Sequence, residues 1–266
     1  MRAATAPVTA ARTDRAQGAV LTVDLHAIAA NTRLFASRTR AGVMAVVKAD
    51  GFGHGGAEAA RTALANGATW LGVTSISEAL ALREAGLAAP ILSWLNPVDA
   101  DFGLALAEGI DLAVPSLRHL GAVIRAAAAT GHRARVHLHL DVGMARDGAE
   151  PAEWPRLCRA AFGGEQRGVL TVAGLMGHLG CAVIPADPCN EAGRACFARG
   201  MQTARAAGLR PAVRHLAATA ATLTDPRTHH TLCRIGAGLV GIDPSRTARL
   251  HAGLTLTAPI VSRTTR

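Results

Sequence analysis

The stretch AVVKADGFGHGG, residues 45–56, holds the one lysine of the chain. Lys and Arg together number 28, so removing Lys48 leaves 27 Arg. A guanidinium stays protonated and is a poor nucleophile, whereas a desolvated lysine amine can lose its proton and attack a carbonyl carbon. A composition biased toward Arg and Ala accounts for the arginines but not for where the lysine stands. Lys48 follows the apolar run Val43-Met44-Ala45-Val46-Val47 and precedes Gly51, Gly53, Gly55 and Gly56. A strand end running into a glycine-rich turn is a typical place for a reacting group.

Other residues compete for chemical roles. Gly51-x-Gly53-x-x-Gly56 matches a dinucleotide-binding turn, and Glu78 stands where a ribose-binding acid belongs in such a fold. Against it, Lys48-Ala49-Asp50 separates the strand from the first glycine, and the lysine is left without a task. Arg234-Ile-Gly236-Ala237-Gly238 is either a backbone N–H cradle for phosphate or an ordinary tight turn. His178 and His215 each follow an apolar run and read as hydrogen-bonded core residues, while His229-His230 reads as a solvated loop pair. No Cys/His/carboxylate set has metal-ligand spacing, so no metal is expected. Glu78 and Glu108 lack partners for two-carboxylate chemistry.

The elements around these residues alternate. After a strand at 19–25 and a helix from about Asp24 to Thr39, apolar strands are expected at 43–48, 69–74, 91–95, 112–114, 135–141, 172–178, 213–216 and 233–240. Helices are expected between them at 57–66, 77–85, 98–108, 116–130, 151–162, 190–207 and 219–223. Ser75 and Ser77 are N-cap candidates, Gly86 stops a helix, and Asn96-Pro97 opens the next. Strands and helices at this spacing imply parallel pairing with right-handed crossovers, hence an α/β fold and a (β/α)8 TIM-type barrel over roughly residues 26–242. Lys48, His139, Asp141 and His178 then fall at C-terminal strand ends, where such barrels carry their sites. An open doubly wound sheet is the competing architecture.

Bulk properties exclude other classes. Half of the 266 residues are hydrophobic, so the chain buries a sizeable core. The net charge of +9 is scattered, only 3% of residues are aromatic and Tyr is absent, which argues against a nucleic-acid groove. No apolar run reaches the ~18 to 20 residues that span a bilayer, and residues 1–18 lack a signal-peptide core, so they read as a disordered tail. The five Cys show no C-x-x-C and are expected to be reduced, as in a cytoplasmic protein.

The segment from Ala45 to Gly55 strongly resembles the pyridoxal-phosphate lysine motif of the alanine racemase family. The resemblance continues through Trp70-Leu-Gly-Val-Thr-Ser-Ile-Ser-Glu-Ala-Leu, His137-Leu-His-Leu-Asp-Val-Gly-Met-Ala-Arg146, Gly174-Leu-Met-Gly-His178, His215-Leu-Ala-Ala-Thr219 and Arg234-Ile-Gly-Ala-Gly. It implies a fold-type III barrel holding pyridoxal 5'-phosphate in an isomerase of D-alanine biosynthesis, acting on alanine or a similar small amino acid. It further implies a Schiff base on Lys48, which also serves as one general base. Phe52 would replace a family Tyr near the phosphate, and Trp94 would line the ring. Arg146 would contact the phenolic oxygen, and His178 would pack beside the ring and orient Arg234. Thr219, Gly236 and Ala237 would hold the phosphate, and Arg234 would face the pyridine nitrogen. The implied organisation is a barrel at 19–245 and, at 246–266, the start of a truncated C-terminal β-domain, with a possible homodimer.

The chain departs from the family pattern in further ways. The family's second base is a Tyr from the partner's C-terminal domain, and this chain has no Tyr. His139 replaces a modified Lys, Ala218 replaces an Asn, and the length resembles single-domain pyridoxal-phosphate homeostasis barrels. The expected activity is therefore impaired racemization; the alternative is a cofactor-binding barrel without turnover.

Overall fold

In the computed structural model, residues 18–260, 262 and 264 are described, so the tail expected at 1–18 lies, apart from Gly18, outside the described residues. The chain alternates as its hydrophobic pattern requires. Strands β2 (Gly42–Val46), β3 (Trp70–Val73), β4 (Ile91–Ser93), β5 (Asp111–Val114), β6 (Ala134–His139), β7 (Leu170–Met176), β8 (Val213–His215) and β9 (Leu232–Ile235) form one parallel sheet. Its order is β8-β7-β6-β5-β4-β3-β2-β9. The ends meet where Thr231 N–H donates to Arg214 O at 3.1 Å and Arg234 N–H donates to Ala217 O at 3.0 Å. The sheet is thus a nearly closed eight-stranded barrel, and the open doubly wound sheet is excluded. The dinucleotide reading of Gly51-x-Gly53-x-x-Gly56 loses its fold with it.

Period-two alternation sorts each strand into two faces. Val43, Ala45, Leu71, Val73, Leu112, Val114, Val136 and Leu138 point outward into the core shared with the helices. Met44, Val46, Leu92, Trp94, Ala113, Met176 and Leu232 fill the barrel interior. The inward positions of β6 are Arg135, His137 and His139. Opposite the step from Val136 to His137, β7 carries one extra residue, Ala173, and this bulge turns Gly174 and Met176 to the barrel interior. Gly174 on β7 faces the His137 ring so closely that a Cβ there would overlap it. Gly174→Ala is expected to cost about 1 to 3 kcal/mol in urea unfolding, because buried backbone and ring must both give way. An unchanged midpoint would mean that the ring has room to move.

Caps set several boundaries. Asp24 accepts from His26 N–H and Ala27 N–H and opens the helix Leu25–Arg38; Ser75 caps Ile76–Glu84 through Glu78 N–H. The helix expected from residue 98 begins only at Phe102, because the Asp101 carboxylate caps Leu104 N–H while Pro97 O accepts a turn bond from Ala100 N–H. The last barrel strand stops at Ile235, and Ala237–Val240 is a 3-10 turn rather than more strand. Outside the barrel, β1 (Val20–Val23) pairs antiparallel with β10 (Leu254–Thr257).

Two further expectations are corrected. Cys181 and Cys189 are disulfide-bonded, with their Cα atoms 6.2 Å apart, because turns through residues 181–187 fold the segment back on itself. Cys158, Cys196 and Cys233 are free thiols. His229 is buried rather than solvated, and its Nε2 lies 3.0 Å from Thr222 O.

Candidate active site

A cavity of about 280 Å³ opens at the C-terminal end of the barrel strands. Lys48, Phe52, Trp94, Arg146, His178, Thr219, Arg234, Gly236 and Ala237 all line it. Sequence reading did not single out Thr74, Leu95, Met144, Ala182 and Val183, which are also on its walls. Leu95 has a φ of 62°, a conformation no propensity signals at a leucine.

Lys48 opens a turn in which Ala49, Asp50, Gly51 and Phe52 all have left-handed backbone, with φ of 52°, 51°, 62° and 59°. Three of these residues are not glycine, and each costs roughly 1 kcal/mol or more in that region. Neighbouring groups hold it. Asp50 Oδ1 accepts from Gly56 N–H at 2.6 Å, and Gly51 N–H donates to Val47 O at 2.8 Å. Glu78 accepts from Ala49 N–H at 2.6 Å through one oxygen and from Thr74 N–H at 2.9 Å through the other. The acid considered for ribose binding therefore ties two barrel loops together below the lysine. The turn leaves Lys48 Nζ 4.7 Å from the centroid of the Phe52 ring, a cation–π distance.

Arg146 stands at the end of a loop organised by Asp141, whose carboxylate accepts from the N–H groups of Gly143, Met144 and Ala145. His139 Nδ1 lies 3.1 Å from Asp147 Oδ2 and tethers the loop one residue beyond Arg146. Burial alone would raise the Asp147 carboxyl, but the His139 bond and charge hold it below its usual range.

Arg234 is buried inside the barrel. Its Nη1 donates to His215 O at 2.8 Å and lies 2.9 Å from His215 Nδ1. Its Nη2 donates to Gly177 O at 2.7 Å and Leu216 O at 3.2 Å, and lies 3.3 Å from His178 Nδ1. A guanidinium donates only, so both imidazoles accept at Nδ1. Burial lowers Arg234 to about 10, which leaves it charged at neutral pH. At the far side, Thr219 Oγ1 accepts from Gly238 N–H at 3.2 Å, which sets the hydroxyl beside the Gly236-Ala237 backbone.

Burial first, then the charges of Arg234 and Arg146, depress His178 to about 3. His215 is lowered by burial and by Arg234. Between pH 6.5 and 3 the unfolded chain takes up a proton at position 178 that the folded chain refuses. Stability is therefore full above about pH 6.5 and falls as the pH drops below it, by up to about 1.4 kcal/mol per unit for each such histidine. Urea unfolding of the cofactor-free chain is expected to weaken by about 1 to 3 kcal/mol from pH 6.5 to 5.5. A flat profile would contradict the neutral assignment of both rings.

A parallel barrel with one amine, two guanidinium groups and a hydroxyl-and-amide cradle at its strand C-termini offers a nucleophile and anion-binding donors around one cavity. The chain matches the family described as alanine racemase, N-terminal domain, over residues 23–244. It belongs to that family. It is 44% identical over 243 residues to an alanine racemase of Thermobifida fusca (strain YX), covering 90% of this chain and 65% of that protein. Its fold superposes on the alanine racemase from Streptomyces coelicolor A3(2) with a TM-score of 0.88 at 40% identity, covering 90% of this chain and 66% of the other. The alanine racemase from D-cycloserine producing Streptomyces lavendulae gives a TM-score of 0.88 at 35% identity, covering 91% and 65%. The chain thus spans just under two thirds of the length of these relatives.

Proposed function

We propose that this chain is the cofactor-bearing barrel of a pyridoxal-phosphate-dependent isomerase that interconverts the L and D forms of alanine or a similar small amino acid. One observation carries the reading: the sole lysine faces the same cavity as Arg234 and the Thr219, Gly236 and Ala237 cradle. The donor set fits the cofactor. A hydroxyl and backbone N–H groups suit a phosphate, the lysine amine suits an aldehyde, and buried Arg234 suits a ring nitrogen that accepts but is never protonated. When bound, pyridoxal phosphate would supply the conjugated ring that takes up the electron pair left by the departing α-proton.

The chain's own residues do the rest. Lys48 anchors the group and then serves as the base on one face. Arg146 orients it from the 141–147 loop, and Trp94 and Phe52 wall it from water. Arg234 donates a hydrogen bond without yielding its proton, which favours simple proton exchange over competing routes. This reading divides the chain into a barrel unit at 19–245 and a second β unit from 246; the pairing of β10 with β1 supports a second unit and puts Val20–Val23 with it rather than with the barrel. The reading includes a cytoplasmic enzyme and a homodimer. Exposed Leu95 and Val183 on the cavity wall support a second copy there. Among the described residues, no helix is long and apolar enough to cross a membrane.

A second reading is a cofactor-binding barrel without racemase turnover. It is favoured by the zero Tyr count and by the titratable groups on the cavity wall, which among the described residues are Lys48, Arg146, His178 and Arg234. His178, at about 3, and the arginines supply no acid suited to neutral pH opposite Lys48. Incubating the purified chain with pyridoxal phosphate and alanine in deuterium oxide separates the readings. The expected result is deuterium entry at the α-carbon of one enantiomer, with inversion slower by about 10²- to 10⁴-fold. Equal rates of exchange and inversion would mean a second base is present; no exchange would leave only the binding role.

A further inference from the structure

Behind Arg234, a line of buried polar groups crosses the barrel interior. His215 Nε2 lies 2.8 Å from His137 Nδ1, and His137 Nε2 lies 3.2 Å from Asp111 Oδ2. His137 and His215 are fully buried, and Asp111 and Arg234 are each 3% exposed. Asp111 is the first residue of β5 and lies toward the N-terminal end of the barrel. There Arg135, half exposed, donates to it from Nε at 3.0 Å and from Nη2 at 3.3 Å. Edge contact from the Trp70 ring, 5.5 Å between centroids, and the gap left by Gly174 hold His137 in this line.

Hydrogen-bond inventory leaves the line one arrangement of protons. Arg234 only donates, so His215 Nδ1 accepts. Neutral His215 then carries its proton on Nε2 and donates to His137 Nδ1. His137 therefore carries its own proton on Nε2 and donates to Asp111. Reading from the other end gives the same answer, because an ionised carboxylate only accepts. Burial alone would raise the Asp111 carboxyl, but the bonds from His137 and Arg135 pull it below its ordinary value. A second proton on either ring would set two N–H groups against each other inside the barrel.

We propose that Asp111 and His137 are positioning residues for Arg234. Asp111 fixes the proton positions of both rings from the closed end of the barrel, so that His215 always presents a bare Nδ1 to the guanidinium. This rests on the reading of Arg234 as the residue that faces the cofactor ring. A free imidazole in the 215 position could turn its N–H toward Arg234 and displace it; the acceptor at Asp111 removes that choice. Nothing in the cavity touches Asp111, so its effect on chemistry passes through two rings.

Long-range proton–nitrogen correlation spectra of the full chain with 15N-labelled histidine test this directly. Both rings are expected to carry their proton on Nε2. In Asp111→Asn the acceptor is neutral and the bond roughly half as strong, so both Nε2 proton signals shift upfield, including the one two links away. In Arg135→Gln, at the half-exposed end, His137 no longer shares Oδ2, and both signals shift downfield. An Nδ1 proton on either ring, or a His215 signal that ignores both variants, overturns the proposal. If Asp111→Asn does not fold, the wild-type spectrum and Arg135→Gln still decide. Titration of the same samples with pyridoxal phosphate keeps the two questions apart. Failure to bind, with the protons as assigned, sinks only the cofactor reading; binding with other tautomers sinks only the relay.

Discussion

Lys48→Ala is expected to lower α-proton exchange of alanine by about 10²- to 10⁴-fold and to abolish any yellow cofactor complex. The turn that presents the lysine is held by backbone and by Asp50 and Glu78, not by the ammonium, so the fold stays intact. Loss of function is then not loss of structure, which an unchanged circular dichroism spectrum would establish. Lys48→Arg should fail equally, since a guanidinium keeps the charge over Phe52 but is not a nucleophile. Exchange in Lys48→Ala within about tenfold of the parent would put the base elsewhere.

The second large effect is on stability. Arg234→Gln removes a charge whose two terminal nitrogens engage three carbonyls and two imidazoles. A glutamine amide offers two donors at one nitrogen, too few for acceptors spread around the barrel. Buried groups left unpaired cost about 1 to 3 kcal/mol each, so the variant is expected to lose about 3 to 5 kcal/mol in urea unfolding. Arg234→Lys should fare little better, because one ammonium cannot occupy both terminal positions. A loss below about 1 kcal/mol would show that the carbonyls find other donors.

The barrel was legible because its outer strand faces repeat Val, Leu and Ala at alternate positions and because short helices separate them. The same pattern put Lys48, His139, Asp141 and His178 at the C-terminal strand ends. What it could not supply was that β7 carries an extra residue at Ala173 and so sets Gly174 against His137, since both depend on a neighbouring strand. Boundaries failed where two caps competed. Pro97 offered a helix start, but the carboxylate of Asp101 satisfied a helix N–H that proline could not. The left-handed run at 49–52 was invisible for a different reason. Three of its residues disfavour that backbone intrinsically, and tertiary bonds from Glu78 and Asp50 override the preference.

The site residues were legible mainly through resemblance. Their gathering around one cavity follows from the barrel, in which residues far apart in sequence meet at strand ends. Thr74, Met144 and Val183 carried no signal, because a threonine, a methionine or a valine in a loop has many ordinary uses. The Cys181–Cys189 pairing escaped because connectivity among five cysteines cannot be read from spacing.

Reduction with borohydride in the presence of pyridoxal phosphate, followed by peptide mapping, tests the central claim most directly. The account predicts one stable pyridoxyl group, on the peptide that contains Lys48 and on no other. An unmodified chain, or a label at the N-terminal amine alone, would contradict it.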